Sequence, residues 1–356
     1  MVMHPFTRTR FGSLAALCFF FAAIGSFPAA AQRPWASFCG DGQCDSGTVP
    51  TGCDCDACTA CSNDGCETCA DVCISFESNV LFMQRSRPDA RVLIQDVPTP
   101  ALNLNANNFD FGYEPGFDAA VNFDVAGRGG LQLCFSQVDS WSEVAALNTP
   151  TANVLQINTN PMTFLVTGRA INAVYQSELM NAEINWRRWL GPQFGVLAGF
   201  RYTELDELYN ATMIDAVTPA PAVFFDTTTQ NRLYGFQLGI ETRMLNLGRL
   251  EIQAAGKAGI YGNAASQFTI LRTGFVQLPA AGNSGRTAVM GEVNVSAALP
   301  LTDNLSLRGG YQVLWIDGVA LATDQTPATN LITQTGFDDT GNVFYHGAFV
   351  GIVWTQ

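Results

Sequence analysis

The sequence predicts an all-β protein: an antiparallel, up-and-down transmembrane β-barrel of about ten strands, with twelve as the alternative, behind an N-terminal Cys-rich module. Three observations carry this. Apolar residues recur at every second position through most of the chain, which is the period of a strand. Charged residues make up only 14% of the chain, against about 25% in ordinary soluble domains. Short and long connections between the alternating stretches alternate in turn, which is how a membrane barrel separates its turns from its outer loops.

Residues 231–263 show the period most clearly. Tyr234, Phe236, Leu238 and Ile240 alternate with Gly235, Gln237, Gly239 and Glu241. Leu250, Ile252, Ala254, Ala258 and Ile260 then alternate with Glu251, Gln253, Ala255, Lys257 and Gly259. Asn246, Gly248 and Arg249 between them suit a tight hairpin turn. In a soluble barrel the apolar face points inward. In a membrane barrel it points to lipid, and the charges line the lumen.

The chain begins with the pattern of a secretory leader, expected at residues 1–31. Arg8 and Arg10 precede an apolar run at 14–24, and Ala29-Ala30-Ala31 is a cleavage site. The run is too short to span a bilayer. Removing the leader takes the formal net charge from −13 to about −15, which argues against a nucleic-acid partner. No later run of 18 apolar residues follows, so the lipid signal lies on alternate residues, as in an outer-membrane barrel.

Residues 32–73 form a separate module. Cys39, Cys44, Cys53, Cys55, Cys58, Cys61, Cys66, Cys69 and Cys73 fall among acidic residues, with no Lys or Arg between Pro34 and Gln84. So short a segment cannot bury a sufficient core and needs staples. In an oxidising compartment the default is disulfides. Cys55-x-x-Cys58-x-x-Cys61 and Cys66-x-x-Cys69 also have metal-ligand spacing, but disulfides are the preferred reading, and no metal or cofactor is assigned. Nine is odd, and Cys134 is the only other Cys of the mature chain. A bond from Cys134 to the module is therefore a further candidate. It would tether the module at the mouth of the barrel.

Residues 74–356 are expected to form the barrel. The strands read from Phe76–Phe82, Phe117–Val125, Leu131–Phe135, 165–190, Phe194–Tyr202, the hairpin above, Val289–Leu299, Leu305–Trp315 and a last strand through Ala348, Val350, Ile352 and Trp354. Four connections are short (126–129, 190–193, 245–249, 300–304). Five are read as long loops (86–115, 141–164, 209–229, 263–285, 319–341). Arg91–Val97 and Phe268–Gln277 are the segments that raise the count to twelve if they are strands. Trp186, Trp189, Trp315, Trp354, Tyr202 and Tyr311 are expected in interfacial girdles.

Three stretches, YEPGFDAAVNFDVAGRGGLQL, NRLYGFQLGIETRMLNLGRLEIQAAGKAGIYGN and LSLRGGYQVLWIDGVAL, resemble the planctomycete outer-membrane β-barrel family. More distantly they are similar to the Legionella-type major outer-membrane, pore-forming proteins. The resemblance spans roughly Phe76 to Trp354 and implies a barrel in the outer membrane; a pore is an extension of it. The chain ends Trp354-Thr355-Gln356 rather than in the aromatic residue common in such barrels.

By the alternation, Glu77, Asp118, Asp124, Glu183, Glu241, Glu251 and Glu292 face the lumen with Arg187, Arg201, Arg243, Lys257 and Arg308. A barrel of ten strands is narrow, so these charges are expected to pair across it. The excess of acids favours cations in any pore. Catalysis is not expected: His346 is the only His of the mature chain, with no constellation around it. Two functions follow. One is a pore for small hydrophilic solutes or ions. The other is a structural envelope protein, with the barrel as anchor in membrane lipid and the module cross-linking other envelope proteins through disulfides. Both place the chain in the outer membrane of a Gram-negative-type bacterium, with the module in the periplasm.

Overall fold

A computed structural model describes residues 72–99, 102–125, 129–160, 164–215 and 221–356. The leader and the Cys module up to Asp71 lie outside the described residues. The strands in chain order are β1 Val72–Arg85, β2 Val92–Asp96, β3 Leu104–Asn105, β4 Tyr113–Val125, β5 Gly129–Ile157 and β6 Phe164–Trp189. They continue with β7 Phe194–Asp215, β8 Pro221–Leu247, β9 Leu250–Thr273, β10 Gln277–Pro300, β11 Leu305–Val319 and β12 Gly341–Thr355. A one-turn helix, α1, spans Gln325–Ala328.

Ten of the strands close a ring, each antiparallel to its neighbours, in the order β1-β4-β5-β6-β7-β8-β9-β10-β11-β12. β1 pairs back on β12, from Ser75 opposite Thr355 to Arg85 opposite Tyr345. The expected ten-stranded barrel is therefore the fold. The two segments that raised the count fall elsewhere. Residues 92–96 form β2, which pairs with β5 outside the ring, and residues 268–273 are the end of β9. The β8–β9 hairpin turns on Gly248 and Arg249. Gly248 has φ +70°, which a side chain disfavours.

Strand length is unequal around the ring. β1, β4, β11 and β12 have 13 to 15 residues. β5 to β10 have 22 to 29, whereas crossing a bilayer takes about 9–11. The barrel thus has a low side and a tall wall. Three of the expected long loops, 141–164, 209–229 and 263–285, are strand for most of their length among the described residues, and the last turns at 274–276.

The reason they looked irregular is a reversal of polarity along each strand. On β8 the outward face reads Tyr234, Phe236, Leu238 and Ile240, all exposed, near the turn end. Farther up, the same outward face carries Arg232, Gln230, Thr228 and Asp226. The inward face changes the opposite way, from Glu241 and Gln237 to Leu233, Phe225 and Val223. β7 and β6 repeat it: outward Phe200 and Tyr202 give way to Glu204 and Asp206, and Ile184, Ala182 and Met180 to Glu178 and Gln176. Register continues while the apolar side switches. The lower zone is apolar outside because it faces lipid. The upper zone is polar outside because it faces water, and apolar inside because something fills it.

Two segments of the low side fill it. Residues 86–112, between β1 and β4, and 320–340, between β11 and β12, fold inward against the tall wall. Phe109 and Phe111 are fully buried and pack edge-on against Tyr175; Phe109 also meets Tyr209. Each such ring adds roughly 1.5–3 kcal/mol by burial. Asn231 holds the second segment at two points, Nδ2 donating to the Ala320 carbonyl (2.9 Å) and Oδ1 accepting from its N–H (2.7 Å). Gln267 donates to the Gly336 carbonyl, and the Ala322 N–H donates to Glu207. The segments also cover the free edges of the wall. β2 pairs with β5 above the end of β4, and the Ala281 N–H of β10 donates to the Gln334 carbonyl. An exposed edge invites pairing with other chains.

Candidate functional site

The candidate site is the lumen of the lower zone. Alternation places one inward side chain at every second residue, and the antiparallel registers set these side by side. Glu183 of β6 lies opposite Arg201 of β7, and Lys257 of β9 opposite Glu292 of β10. These four meet in one cluster. Arg201 bonds both Glu183 and Glu292; Lys257 Nζ reaches Glu183 at 3.1 Å and Glu292 at 2.8 Å. Gln237 and Asn185 complete the shell of Glu183, their amides donating at 2.7 and 2.9 Å.

The other lumen charges are arranged around this cluster. Arg308 pairs with Glu77, Arg187 with Glu241 (3.0 Å) and Arg243 with Glu251 (3.3 Å). Five cations thus match five carboxylates. The remaining two of the expected set are Asp118, which accepts from Asn79 Nδ2 at 2.6 Å, and Asp124, beside the turn end. All twelve sequence-assigned lumen residues lie on the inward parity. Ten of them form ion pairs: eight between strands that are not neighbours, and Arg243 with Glu251 within one hairpin.

A cavity of about 120 Å³ lies within this layer. Its polar lining includes Asn79, Asp118, Lys257, Glu292 and Arg308. Toward the turn end, Gln132, Asn122, Asn185 and Arg187 form a hydrogen-bonded floor. Toward the loop end, Leu81, Met83, Val138, Leu179, Leu314 and Phe349 form an apolar roof. Above the roof lies a buried ion pair, Arg85–Glu207 at 2.6 Å, joined by Tyr175 Oη donating to Glu207.

Sequence reasoning by charge missed the neutral amides that complete the network, Asn79, Asn122, Gln132, Asn185 and Gln237. Their signal was present: each sits on the same parity as the charges. It also missed Arg85 and Glu207, which lie beyond the predicted strand ends, and Tyr175, an uncharged residue within the predicted stretch 165–190. Trp189 departs from the expected girdle. It lies on the lumen parity, with the Arg243 guanidinium 4.3 Å from its ring. Trp186, Trp315, Trp354 and Tyr311 face outward and exposed as expected. His346 also faces outward, hydrogen-bonded to Tyr311 through Nδ1 at 2.6 Å. Cys134 lines the cavity above the amide floor, and the module with which a bond was considered lies, up to Asp71, outside the described residues.

Residues 144–340, more than half of the chain, match the model of the family described as "Putative beta barrel porin-7 (BBP7)". The chain belongs to this family. It is an outer-membrane β-barrel of porin-like kin, and its low, apolar-sided zone is the part that crosses the bilayer. No curated protein matches it. Among solved structures it is similar to the outer membrane protease OmpT from Escherichia coli (9% identity, 80% of this chain and 97% of that one, TM-score 0.46). It is also similar to the toluene transporter TodX of Pseudomonas putida (10% identity, 80% and 88%, TM-score 0.30) and to a FadL homologue of Pseudomonas aeruginosa (9% identity, 80% and 90%, TM-score 0.24).

Proposed function

We propose that this protein is a narrow pore for small hydrophilic solutes, closed at rest by its two inward segments. One observation carries the reading. The lumen through the membrane zone is polar and holds a cavity, and above its apolar roof of strand side chains the upper zone is filled by loop rather than barrel wall. A seal made of residues 320–340 can withdraw while every strand pairing of the ring stays in place. The acid excess of the lumen favours cations among the solutes. The reading is of a non-enzymatic protein, and the planctomycete affiliation carried by the three sequence stretches belongs to it. So does the periplasmic placement of the module. β1 starts at the turn end, so the module joins the barrel there.

Planar-bilayer recordings test this. The native chain is expected to open rarely. A variant with residues 322–337 replaced by a short Gly-Ser linker is expected to conduct steadily, with cations preferred and the preference reduced by Glu241→Lys. A correctly folded linker variant that never conducts would replace this reading with that of a sealed structural anchor, cross-linked to other envelope proteins through the Cys module.

A further inference from the structure

The charge count of the lumen leaves one carboxylate outside any ion pair at mid-membrane depth. Asp124 lies beside the turn end. Asp118 does not: it lines the cavity, and among the described residues no Arg or Lys nitrogen comes within the 4.0 Å of an ion pair. Its one hydrogen bond comes from Asn79, an uncharged amide. A carboxylate taken from water with no cation beside it is costly. It must bind a proton or a positive ion.

A second feature selects between these. Asn79 is 3% exposed, lines the same cavity, and its Oδ1 is buried without a donor. With the amide nitrogen turned toward Asp118, a proton on that carboxyl leaves the acceptor empty. A small cation can be shared by Asp118 and Asn79 Oδ1 and satisfies both. Gly351 of β12 makes room for this amide, since a side chain there would collide with Asn79 Oδ1. The cavity admits a small cation with a few waters and excludes large organic cations.

We propose that the cavity binds one small monovalent cation, held by the Asp118 carboxylate and Asn79 Oδ1. The inference deepens the pore reading and rests on it for any role in conduction; occupancy itself does not require the upper segments to move.

The test is the unfolding midpoint of the full chain in detergent, at fixed ionic strength. Sodium or potassium chloride is compared with N-methyl-D-glucamine chloride, whose cation is too large to enter. A ligand that binds only the folded state raises the midpoint with its concentration. Sodium or potassium is expected to give a midpoint several degrees higher, rising and saturating with concentration. Asp118→Asn is expected to abolish the difference, and Asp124→Asn to leave it. If Asp118→Asn does not fold, Asn79→Ser decides, with the difference expected to be lost. Equal midpoints for the native chain in both salts would mean that Asp118 carries a proton, and would overturn the proposal. A difference that survives in Asp118→Asn, or in Asn79→Ser, would place the cation elsewhere and overturn it too. Conductance enters neither outcome, so this test fails or succeeds separately from the pore.

Discussion

Arg201 shows how much one side chain can hold in so narrow a lumen. Its guanidinium bonds Glu183 and Glu292, and its side chain is 2% exposed. Truncating one partner of a buried ion pair strands the other, at about 3–5 kcal/mol. Arg201→Met is therefore expected to destabilise the refolded barrel by about that amount, measured as a shift in its urea midpoint. Glu251→Gln, whose partner Arg243 also lies against Trp189 near the turn end, is expected to cost far less. Equal losses would mean that the central cluster is no more critical than the rim. The lumen charges were legible in the sequence because each sits on a strict period of two. Their partners were not, because which inward residues meet depends on strand register across the ring.

The inward segments are held by a different kind of chemistry, and it responds to pH. Asp324 in the 320–340 segment has its carboxyl pushed up to about 6, chiefly by burial and further by Asp338, Glu207 and Asp89, while Arg91 pulls it down. Asp338 is held below the usual carboxylate range. Burial opposes this, but the Thr340 hydroxyl and N–H and Arg91 outweigh it. Arg91 lies between the two, 3.5 Å from Asp324 and 3.4 Å from Asp338. A carboxyl whose value is raised on docking favours the docked state most when protonated. That contribution is fully present below about pH 4 and is lost as pH rises through 6. Hydrogen exchange at the Ala320 and Ala322 amides, corrected for intrinsic rates, is expected to speed up from pH 4.5 to pH 7. Asp324→Asn is expected to flatten that dependence. Unchanged exchange in the native chain across this range would rule out the coupling. None of this was readable beforehand. The segments looked like outer loops because nothing local in 86–112 or 320–340 announces a cup to fill.

At the scale of the whole molecule, the reversal of polarity fixes the barrel against the bilayer. Leu238 faces outward in the lower zone and is 70% exposed. Gln230, eight residues away on the same face, lies in the upper zone beside Asp206. Arg at a lipid-facing midplane site costs about 2–4 kcal/mol. Leu238→Arg is therefore expected to lower the folding free energy in lipid vesicles by about that amount, and Gln230→Arg to change it by less than about 0.5 kcal/mol. Equal effects would move the membrane zone. The same reversal explains what the sequence could and could not reveal. Strand count, the β1–β12 closure and the lipid face followed from alternation with one fixed apolar side. The upward extension of β5 to β10 did not, because there the apolar side is the other one.

The seam between β1 and β12 lies between the two hairpins that carry the inward segments. Until these terminal strands meet, residues 86–112 and 320–340 belong to opposite edges of an open sheet. Arg91 then stands far from Asp324 and Asp338, as distant in space as in sequence. Each segment lies against the wall strand on its own side, β5 or β10, but the two meet each other only when the last strand pair zips. The stopper is thus delivered by the strands that complete the ring, so closing and sealing are one event. A newly inserted copy need not pass through a stage in which a finished, unplugged cylinder leaks across the envelope.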